Sequence, residues 1–213
     1  MQQNLRKTPR QTRSQAMVEA ILDAAARILA RDGREAANTN AIARAAGVSI
    51  GSLYQYFADR DAIMRALVLR HGHRIHAVVQ GDGEPPPDDL RTAIERIVAA
   101  VFLAHRLDPA LHDALDHDFH HRHGGEAFPS TKSAVRERMA ALPATVRAEI
   151  RCEDRERAPL VVSEVVHSLA HAALVHPDMP HDASALERQA VQAVLAYLTT
   201  AAAGSVSSTA DER

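Results

Sequence analysis

The sequence predicts an all-α fold. Alanine, leucine and arginine, which favour helices, are frequent in the 213 residues, and runs of β-branched residues are few. Apolar residues recur three and four positions apart along most of the chain, whereas the alternation typical of strands never extends beyond a few residues. Glycines, prolines and helix-capping residues separate these apolar stretches. Together these features predict about nine helices.

The first 57 residues predict a basic arm and three helices. Residues 1–13 carry several arginines and a proline, which indicates a flexible basic arm. Gly33 and Gly47 follow apolar-periodic stretches and are expected to end helices. The predicted helices cover residues 14–31, with Ser14 as N-cap, then a short helix with Asn38 or Thr39 as N-cap, and 49–57, with Ser49 as N-cap.

A clear linker follows a fourth predicted helix, which Asp59 caps. The segment "GDGEPPPDD", residues 81–89, combines flexible glycines with prolines that forbid helix. The later predicted helices cover 89–106, 109–121, 130–151 with a break at Pro143, 158–176 and 183–203. The predicted organisation is an arm (1–13), a three-helix domain (14–57), a connecting helix (58–80), a linker (81–87), a second helical domain (88–203) and a disordered tail (204–213).

Charge is distributed unevenly along the chain. The net charge is −2, but residues 1–70 hold 11 Lys and Arg against 6 Asp and Glu, a net of +5, and residues 71–213 hold 14 against 21, a net of −7. This favours an anionic partner for the first part, with chance clustering as the alternative. Cys152, a single cysteine, indicates a reducing compartment. No signal peptide or apolar run long enough to cross a bilayer is present, so a cytoplasmic protein without membrane contact is expected.

The second and third helices predict a helix-turn-helix. They are joined by "AGVS", in which Gly47 can take the positive φ of a tight turn and Val48 can fill the angle between the helices. Leu53 and Phe57 are four residues apart and are expected to point inward. The positions expected on the outer or N-terminal side are Ile50, Gly51, Ser52, Gln55 and Tyr56.

The chemistry of this outer side suits double-stranded DNA. Gln55 can hydrogen-bond a base edge, and Ile50 can contact a thymine methyl group. Gly51 leaves room for close approach of DNA. The hydroxyl groups of Tyr54 and Tyr56 can reach phosphate oxygens, which fixes register without reading sequence. For Tyr54, burial in the core and a phosphate contact remain equally open.

These residues also carry a family resemblance. The segment "TNAIARAAGVSIGSLYQYFADRDAIMRAL", residues 39–67, closely resembles the helix-turn-helix signature of the tetracycline-repressor (TetR) family of bacterial regulators. The upstream "PRQTRSQAMVEAILDAAARILARDG", residues 9–33, resembles that family's arm and first helix. The resemblance implies a homodimer that binds a palindromic operator, a small-molecule effector that relieves repression, and no enzymatic activity or cofactor.

The resemblance also implies roles for individual residues. Tyr54 would be partly buried, and Arg60 stands where the family usually has lysine, so the charge is kept. Arg10 and Arg13 would reach a phosphate or the minor groove. The implied DNA-contacting positions are Arg10, Arg13, Thr39, Asn40, Ser49, Ile50, Gly51, Ser52, Tyr54, Gln55, Tyr56 and Arg60.

The second domain is expected to bind the effector and form the dimer. Its last two helices would pair with those of a second copy. Scarce aromatic residues, 3% of the chain, hint at an apolar or weakly polar effector. Helical facing predicts these pocket residues: Val98, Phe102, His105, Leu111, Leu115, Phe119, Val135, Met139 and Leu169.

The chain has 13 histidines, and several lie in "LHDALDHDFHHRHGG", residues 111–125. Their spacing could bind a transition metal, but such polar helices are more often solvated, so no metal site is predicted. Three His-Asp dipeptides leave an HD-type metal-dependent phosphohydrolase as an alternative: His112-Asp113, His117-Asp118 and His181-Asp182. A non-specific DNA-binding protein is another. His105 is expected to be a core histidine, with a polar anchor in the pocket as the alternative, and His167 and His171 to lie at the dimer interface or pocket edge.

Overall fold

A computed structural model describes residues 12–122, 129–175 and 183–201, and these residues form ten helices and no strand. The all-α prediction is therefore confirmed. The helices are α1 (Thr12–Asp32), α2 (Thr39–Ala46), α3 (Ile50–Tyr56), α4 (Arg60–Gln80), α5 (Leu90–Arg106), α6 (Pro109–Arg122), α7 (Thr131–Ala140), α8 (Ala144–Ala148), α9 (Ala158–Val175) and α10 (Ala183–Thr199). None of the described helices is long and apolar enough to cross a membrane.

The chain forms two compact units. The first comprises the described parts of Met1–Val78 and Leu103–Thr131, and the second those of Val79–Phe102 and Lys132–Arg213. This differs from the predicted division at residues 81–87, because α6 belongs to the first unit. Leu111 and Leu115 of α6 are buried in the same hydrophobic cluster as the core residues of α1 to α4.

The core of the first unit follows the predicted helical faces. Leu53 and Phe57 are fully buried, as predicted, and Ile63 and Leu67 of α4 pack in the same cluster. The apolar residues of α1 that recur at helical spacing are all buried: Val18, Ile21, Leu22, Ala25, Ile28 and Leu29. A single hydrophobic cluster therefore holds α1 to α4 together.

The start of α1 differs from the prediction. The helix begins at Thr12, so Ser14 lies inside it and is not its N-cap. The Ser14 hydroxyl instead accepts a hydrogen bond from the Tyr56 hydroxyl, with the oxygens 3.3 Å apart. Local capping preference is overridden here by a contact between residues distant in sequence. Residues 1–11, including Arg10, lie outside the described residues.

In the second unit, residues 81–87 are not helical, as predicted, but they lie within this unit and do not separate the two units. The Asp89 carboxylate accepts a hydrogen bond from the Thr92 amide at 2.7 Å, and this bond chiefly lowers the pKa of Asp89. Pro143 separates α7 from α8, as its missing amide hydrogen predicts. The final helix ends at Thr199, so the prediction that it includes residues 200 and 201 is wrong. The predicted tail, residues 204–213, lies outside the described residues.

Arg138 of α7 is bonded to the end of α4. Its guanidinium donates to the Val79 carbonyl oxygen and to the Glu84 carboxylate, each at 2.6 Å. The Gln80 side chain donates in turn to the Ala134 carbonyl oxygen at 3.2 Å. These contacts fix the last turn of α4 to α7 within the second unit.

Candidate nucleic-acid interface

The turn between α2 and α3 depends on Gly47. This residue has φ 68° and ψ 27°, the left-handed conformation that glycine adopts without steric cost. Its amide donates to the Arg44 carbonyl oxygen at 3.2 Å, and the Val48 amide donates to that of Ala43 at 3.0 Å. This pair of bonds closes α2 and turns the chain directly into α3. The predicted left-handed glycine is therefore confirmed.

Both helices of this turn have capped N-termini. The Asn38 side-chain oxygen accepts from the Ala41 amide at 3.0 Å, which identifies Asn38 as the N-cap of α2. The Ser49 hydroxyl accepts from the Ser52 amide at 3.0 Å, as predicted. Because its side chain holds the first turn of α3, Ser49 has a structural role whether or not it also contacts DNA.

One side of α3 is buried and the other is exposed. Leu53 and Phe57 fix the buried side in the core. Ile50 is 39% exposed and Tyr54 41%, so both side chains are accessible to a partner. The exposed predicted positions of this region are Asn40, Ser49, Ile50, Gly51, Tyr54 and Gln55, while Thr39, Ser52 and Arg60 are half-buried.

The two tyrosines of α3 have opposite environments. Tyr56 is 6% exposed and belongs to the core cluster, so the prediction that it lies on the outer face is wrong. Tyr56 is three residues from Leu53 and next to Phe57, the spacing of one helical face, and this pattern could have placed it inward. Tyr54, not Tyr56, presents its ring and hydroxyl to solvent.

Hydroxyl groups from α2 and α3 meet on the exposed side. The oxygens of Thr39 and Tyr54 are 3.3 Å apart, within hydrogen-bonding distance. Thr39 is the first residue of α2, so its backbone amide is among those with no partner inside the helix. Two hydroxyl groups and a helix N-terminus are therefore close together, an arrangement suited to a phosphate oxygen.

Basic residues flank this surface. Arg44 is exposed on α2, one turn after Asn40, and the sequence prediction missed it. The signal was available, because residues four apart on a helix share one face. Arg60 begins α4, as predicted. Arg13 lies in α1, but its side chain is outside the described part of the chain.

Ion pairs attach α4 to the rest of the first unit. Arg70 contacts both Glu19 and Asp23 of α1, at 2.8 and 2.7 Å. Arg34, just after α1, contacts Asp61 at 3.1 Å. The Asp59 carboxylate accepts from the Ala62 amide at 2.7 Å and so caps α4, as predicted. These contacts hold the first turns of α4, and Arg60 with them, beside the helix-turn-helix.

The predicted effector-pocket residues are divided between the two units. His105, Leu111 and Leu115 are buried in the first unit, and Leu169 is half-buried in the second. The side chain of Phe119 lies outside the described residues. Buried in the second unit are Val98, Phe102, Val135 and Met139.

Two clefts of the second unit are lined by none of these predicted pocket residues. One, of about 270 Å³, is bordered by the prolines of residues 85–87 together with Arg96 and Arg138. The other, of about 470 Å³, is bordered by residues of α5 and α10, including Arg91 and Arg188. The effector pocket therefore remains a prediction.

The histidine-rich segment is only partly described. His112 is buried and faces other histidines, whereas Asp113 beside it is exposed. The His117-Asp118 side chains and the whole of His181-Asp182 lie outside the described residues. Within the described residues, no three or more His, Cys, Asp or Glu side chains are arranged to hold a metal ion. His105 is 1% exposed, a core histidine. His167 and His171 stack with ring centroids 6.2 Å apart.

Comparison with curated proteins finds a partial relative. The chain is 31% identical over 102 residues to the HTH-type transcriptional repressor KstR of Rhodococcus jostii (strain RHA1). The match covers 46% of this chain and 45% of the repressor, so less than half of that protein's length is aligned.

Solved structures share the fold over most of the chain. A protein of unknown function from Rhodococcus sp. RHA1 has a TM-score of 0.71 at 20% identity, covering 86% of this chain and 96% of that one. A bacterial regulatory protein in the tetR family from Rhodococcus RHA1 has a TM-score of 0.64 at 18% identity, covering 87% and 98%. The fatty acid degradation regulator FadR from Bacillus halodurans has a TM-score of 0.59 at 17% identity, covering 88% and 97%.

Family models match both parts of the sequence. The model described as "Bacterial regulatory proteins, tetR family" matches residues 21–67, which contain the helix-turn-helix. The model described as "Tetracyclin repressor-like, C-terminal domain" matches residues 89–198, more than half of the chain. The chain therefore belongs to the tetR family of bacterial transcriptional regulators.

Proposed function

We propose that this protein is a repressor that binds a palindromic operator as a homodimer, in the cytoplasm, and is released by a small-molecule effector. The observation that carries this proposal is the division of α3 into a fully buried side and a side exposing Ile50, Tyr54 and Gln55. The packing of α3 does not require these exposed side chains, and they would suit an interface with DNA, where an isoleucine can contact a thymine methyl group and a glutamine a base edge.

The exposed residues divide between two kinds of contact. Gln55 would read a base edge, and Ile50 would contact a thymine methyl group. Thr39 and Tyr54 together would hold a phosphate, and Arg44 would add charge at the same edge. The buried hydrophobic contacts of α3 keep these groups rigid, which sequence-specific binding requires.

The proposed dimer interface is the apolar face of α9. One side of this helix carries four half-buried apolar residues, Val161, Val165, Leu169 and Ala172. Such a stripe on a monomer indicates a self-complementary interface, because a twofold axis brings the same face of a second copy against it. Two three-helix units would then be presented to successive major grooves.

The effector would act on the second unit and change the spacing of the two helix-turn-helix units. Operator half-sites lie about 34–36 Å apart, so a ligand that favours a different spacing weakens DNA binding. Of the predicted pocket residues in this unit, Val98, Phe102, Val135 and Met139 are apolar and buried. They support an apolar or weakly polar effector.

The two tyrosines of α3 provide a matched test. Binding of a duplex covering the DNA upstream of the protein's own gene is measured by fluorescence anisotropy for Tyr54→Phe and Tyr56→Phe. Each variant loses one hydroxyl group from the same helix. Tyr54→Phe should weaken binding about 3- to 10-fold, because a phosphate contact is lost. Tyr56→Phe should bind DNA like the wild type.

Thermal unfolding of the same variants provides the control. Tyr56→Phe should cost about 0.5–1.5 kcal/mol, because its hydroxyl bonds to Ser14 inside the protein. Loss of DNA binding in Tyr56→Phe alone would refute the proposed interface. Equal affinity of both variants and the wild type would refute the phosphate contact of Tyr54.

A further inference from the structure

Three histidines from different helices meet inside the first unit. His71 lies on α4, His105 near the end of α5, and His112 on α6. Their exposures are 8%, 1% and 7%. We call these residues the histidine cluster. Helix-turn-helix geometry does not require it, and nothing in the proposed DNA interface uses it.

The contacts of the histidine cluster depend on the imidazole protonation state. Nε2 of His71 lies 3.2 Å from Nδ1 of His112. A hydrogen bond between them requires one nitrogen to donate a proton and the other to accept it with a lone pair. The ring of His105 meets that of His112 edge to face, with centroids 4.4 Å apart. If both His71 and His112 were protonated, the bond would be lost and two cations would lie in contact.

Burial favours the neutral state of His71 and is the main cause that lowers its pKa. The charge of Asp108, in the connection between α5 and α6, is the next largest influence and raises this pKa. Arg74, His105 and Arg70 lower it further. The Asp108 carboxylate also accepts a hydrogen bond from the Leu111 amide at 3.3 Å, so it is partly used in holding the first turn of α6.

The acidic residues of α1 do not approach the cluster as free charges. Glu19 and Asp23 both contact Arg70, which lies next to His71 in sequence. They neutralise part of the positive charge of α4, and a proton added to His71 would therefore add a further cation beside Arg70 and Arg74. Asp108 compensates such a buried cation only in part, because the effect of burial is larger and the pKa of His71 stays below its ordinary value.

The cluster lies where α6 joins the first unit. Leu111 and Leu115 flank His112 in sequence and are buried in the hydrophobic cluster of that unit. One residue after His71, Gly72 of α4 is so close to Pro129 that an added Cβ would overlap the Pro129 carbonyl oxygen. Helix α4 is thus tightly packed next to the cluster.

We propose that protonation of the histidine cluster controls the packing of α6. Helix α6 stays packed against α4 while the imidazoles are neutral, and it separates from α4 when they are protonated. This goes beyond the proposed repressor function, since it concerns the free protein. A further consequence is that lowering the pH would change operator binding. This consequence alone rests on the proposed function.

The direction of the effect follows from linkage. Because the pKa of His71 is lower in the folded protein than its ordinary value of 6.5, the unfolded or opened state binds more protons below that pH. The stability contributed by the neutral cluster is therefore fully present above about pH 6.5 and is lost as the pH falls below it. Each linked proton changes the opening constant by up to about tenfold per pH unit.

The first test uses urea unfolding of the free full-length protein at pH 7.5 and 5.5. The double variant His71→Gln, His112→Asn keeps an amide hydrogen bond but cannot be protonated in this range. The control is His73→Gln, because His73 is exposed on the same helix. The unfolding constant of the wild type and of His73→Gln should rise at least about tenfold at the lower pH. That of the double variant should change less than about threefold. The same rise in all three proteins would overturn the proposal.

The second test needs no variant and applies even if the double variant fails to fold. Hydrogen exchange of the wild type is measured by mass spectrometry at both pH values and corrected for the intrinsic rate. Amides of residues 66–78 and 109–115 should lose protection at pH 5.5, while those of α9 keep it. Unchanged protection in the first two segments would overturn the proposal. Neither test contains DNA, so a failed repressor function would leave their outcome unaffected.

Discussion

Replacing Gly47 by alanine tests whether the helix-turn-helix turn is held rigidly. The residue has φ 68°, and a Cβ added there would meet no atom within 4 Å. The cost is therefore conformational and not steric. An alanine in the left-handed region loses about 1–2 kcal/mol, of which about 0.4–1 kcal/mol is offset because alanine restricts the unfolded chain. The expected net loss is about 1 kcal/mol.

A second glycine in the same unit offers a matched control. Gly33 has φ 78° and equally open space around its Cβ position, but it follows α1 and is not part of the turn. Gly33→Ala should therefore lose the same free energy of unfolding. For a chain of this length, either loss lowers the melting temperature by about 2–4 °C. Gly47→Asn should lose less, because asparagine tolerates the left-handed conformation.

DNA affinity of Gly47→Ala distinguishes a turn that keeps its shape from one that relaxes. Ile42 of α2 and Leu53 and Phe57 of α3 are fully buried, so the two helices are fixed on both sides of the turn. The turn should keep its shape, and anisotropy should show operator affinity within about twofold of the wild type. If the turn relaxed instead, α3 would move, stability would be retained and affinity would fall by about fivefold, the factor equivalent to 1 kcal/mol. That pattern would refute the argument for a rigid turn.

Two further predictions concern α4 and the proposed dimer. Asp59→Ala should lower the free energy of unfolding in urea by about 0.5–2 kcal/mol, because the Ala62 amide loses its capping carboxylate. Asp59→Asn should keep most of this stability, since asparagine also caps helices. An unchanged free energy of unfolding in Asp59→Ala would contradict the capping role. Val165→Arg should convert the dimer into a monomer in sedimentation velocity, because it places a charge on the apolar face of α9. A dimer that persists in Val165→Arg would exclude that face, and Arg91→Leu on α5 is the control for a charge change elsewhere.

The features that depend on neighbouring residues could be predicted from the sequence. Gly47 and the Ser49 cap require only a few residues, whose conformational preferences are strong. The inward direction of Leu53 and Phe57 follows from helical spacing alone. The same spacing also indicates that Tyr56 points inward, although its hydroxyl group by itself suggests a polar partner. A tyrosine can bury its ring and still satisfy its hydroxyl group within the protein.

Other features depend on contacts between residues far apart in the sequence. The assignment of α6 to the first unit depends on Leu111 and Leu115 meeting residues of α1 to α4. The contacts among His71, His105 and His112 likewise bring three separate helices together. The binding of Arg138 to the last carbonyl groups of α4 is a further example. Helical periodicity shows which face of each helix is apolar, but it does not show which helix covers that face.

The central claim is that the exposed side of α3 reads a specific DNA sequence. Wild-type protein is used to select duplexes from a random library, and the enriched duplex is then titrated with wild type and Gln55→Ala in 0.15 M salt. The account predicts enrichment of a palindrome and a loss of affinity of about 5- to 150-fold for Gln55→Ala, equivalent to about 1–3 kcal/mol for a base contact. Binding of the unselected library without enrichment of any sequence, with equal affinity for both proteins, would contradict it and indicate non-specific binding through phosphate contacts alone.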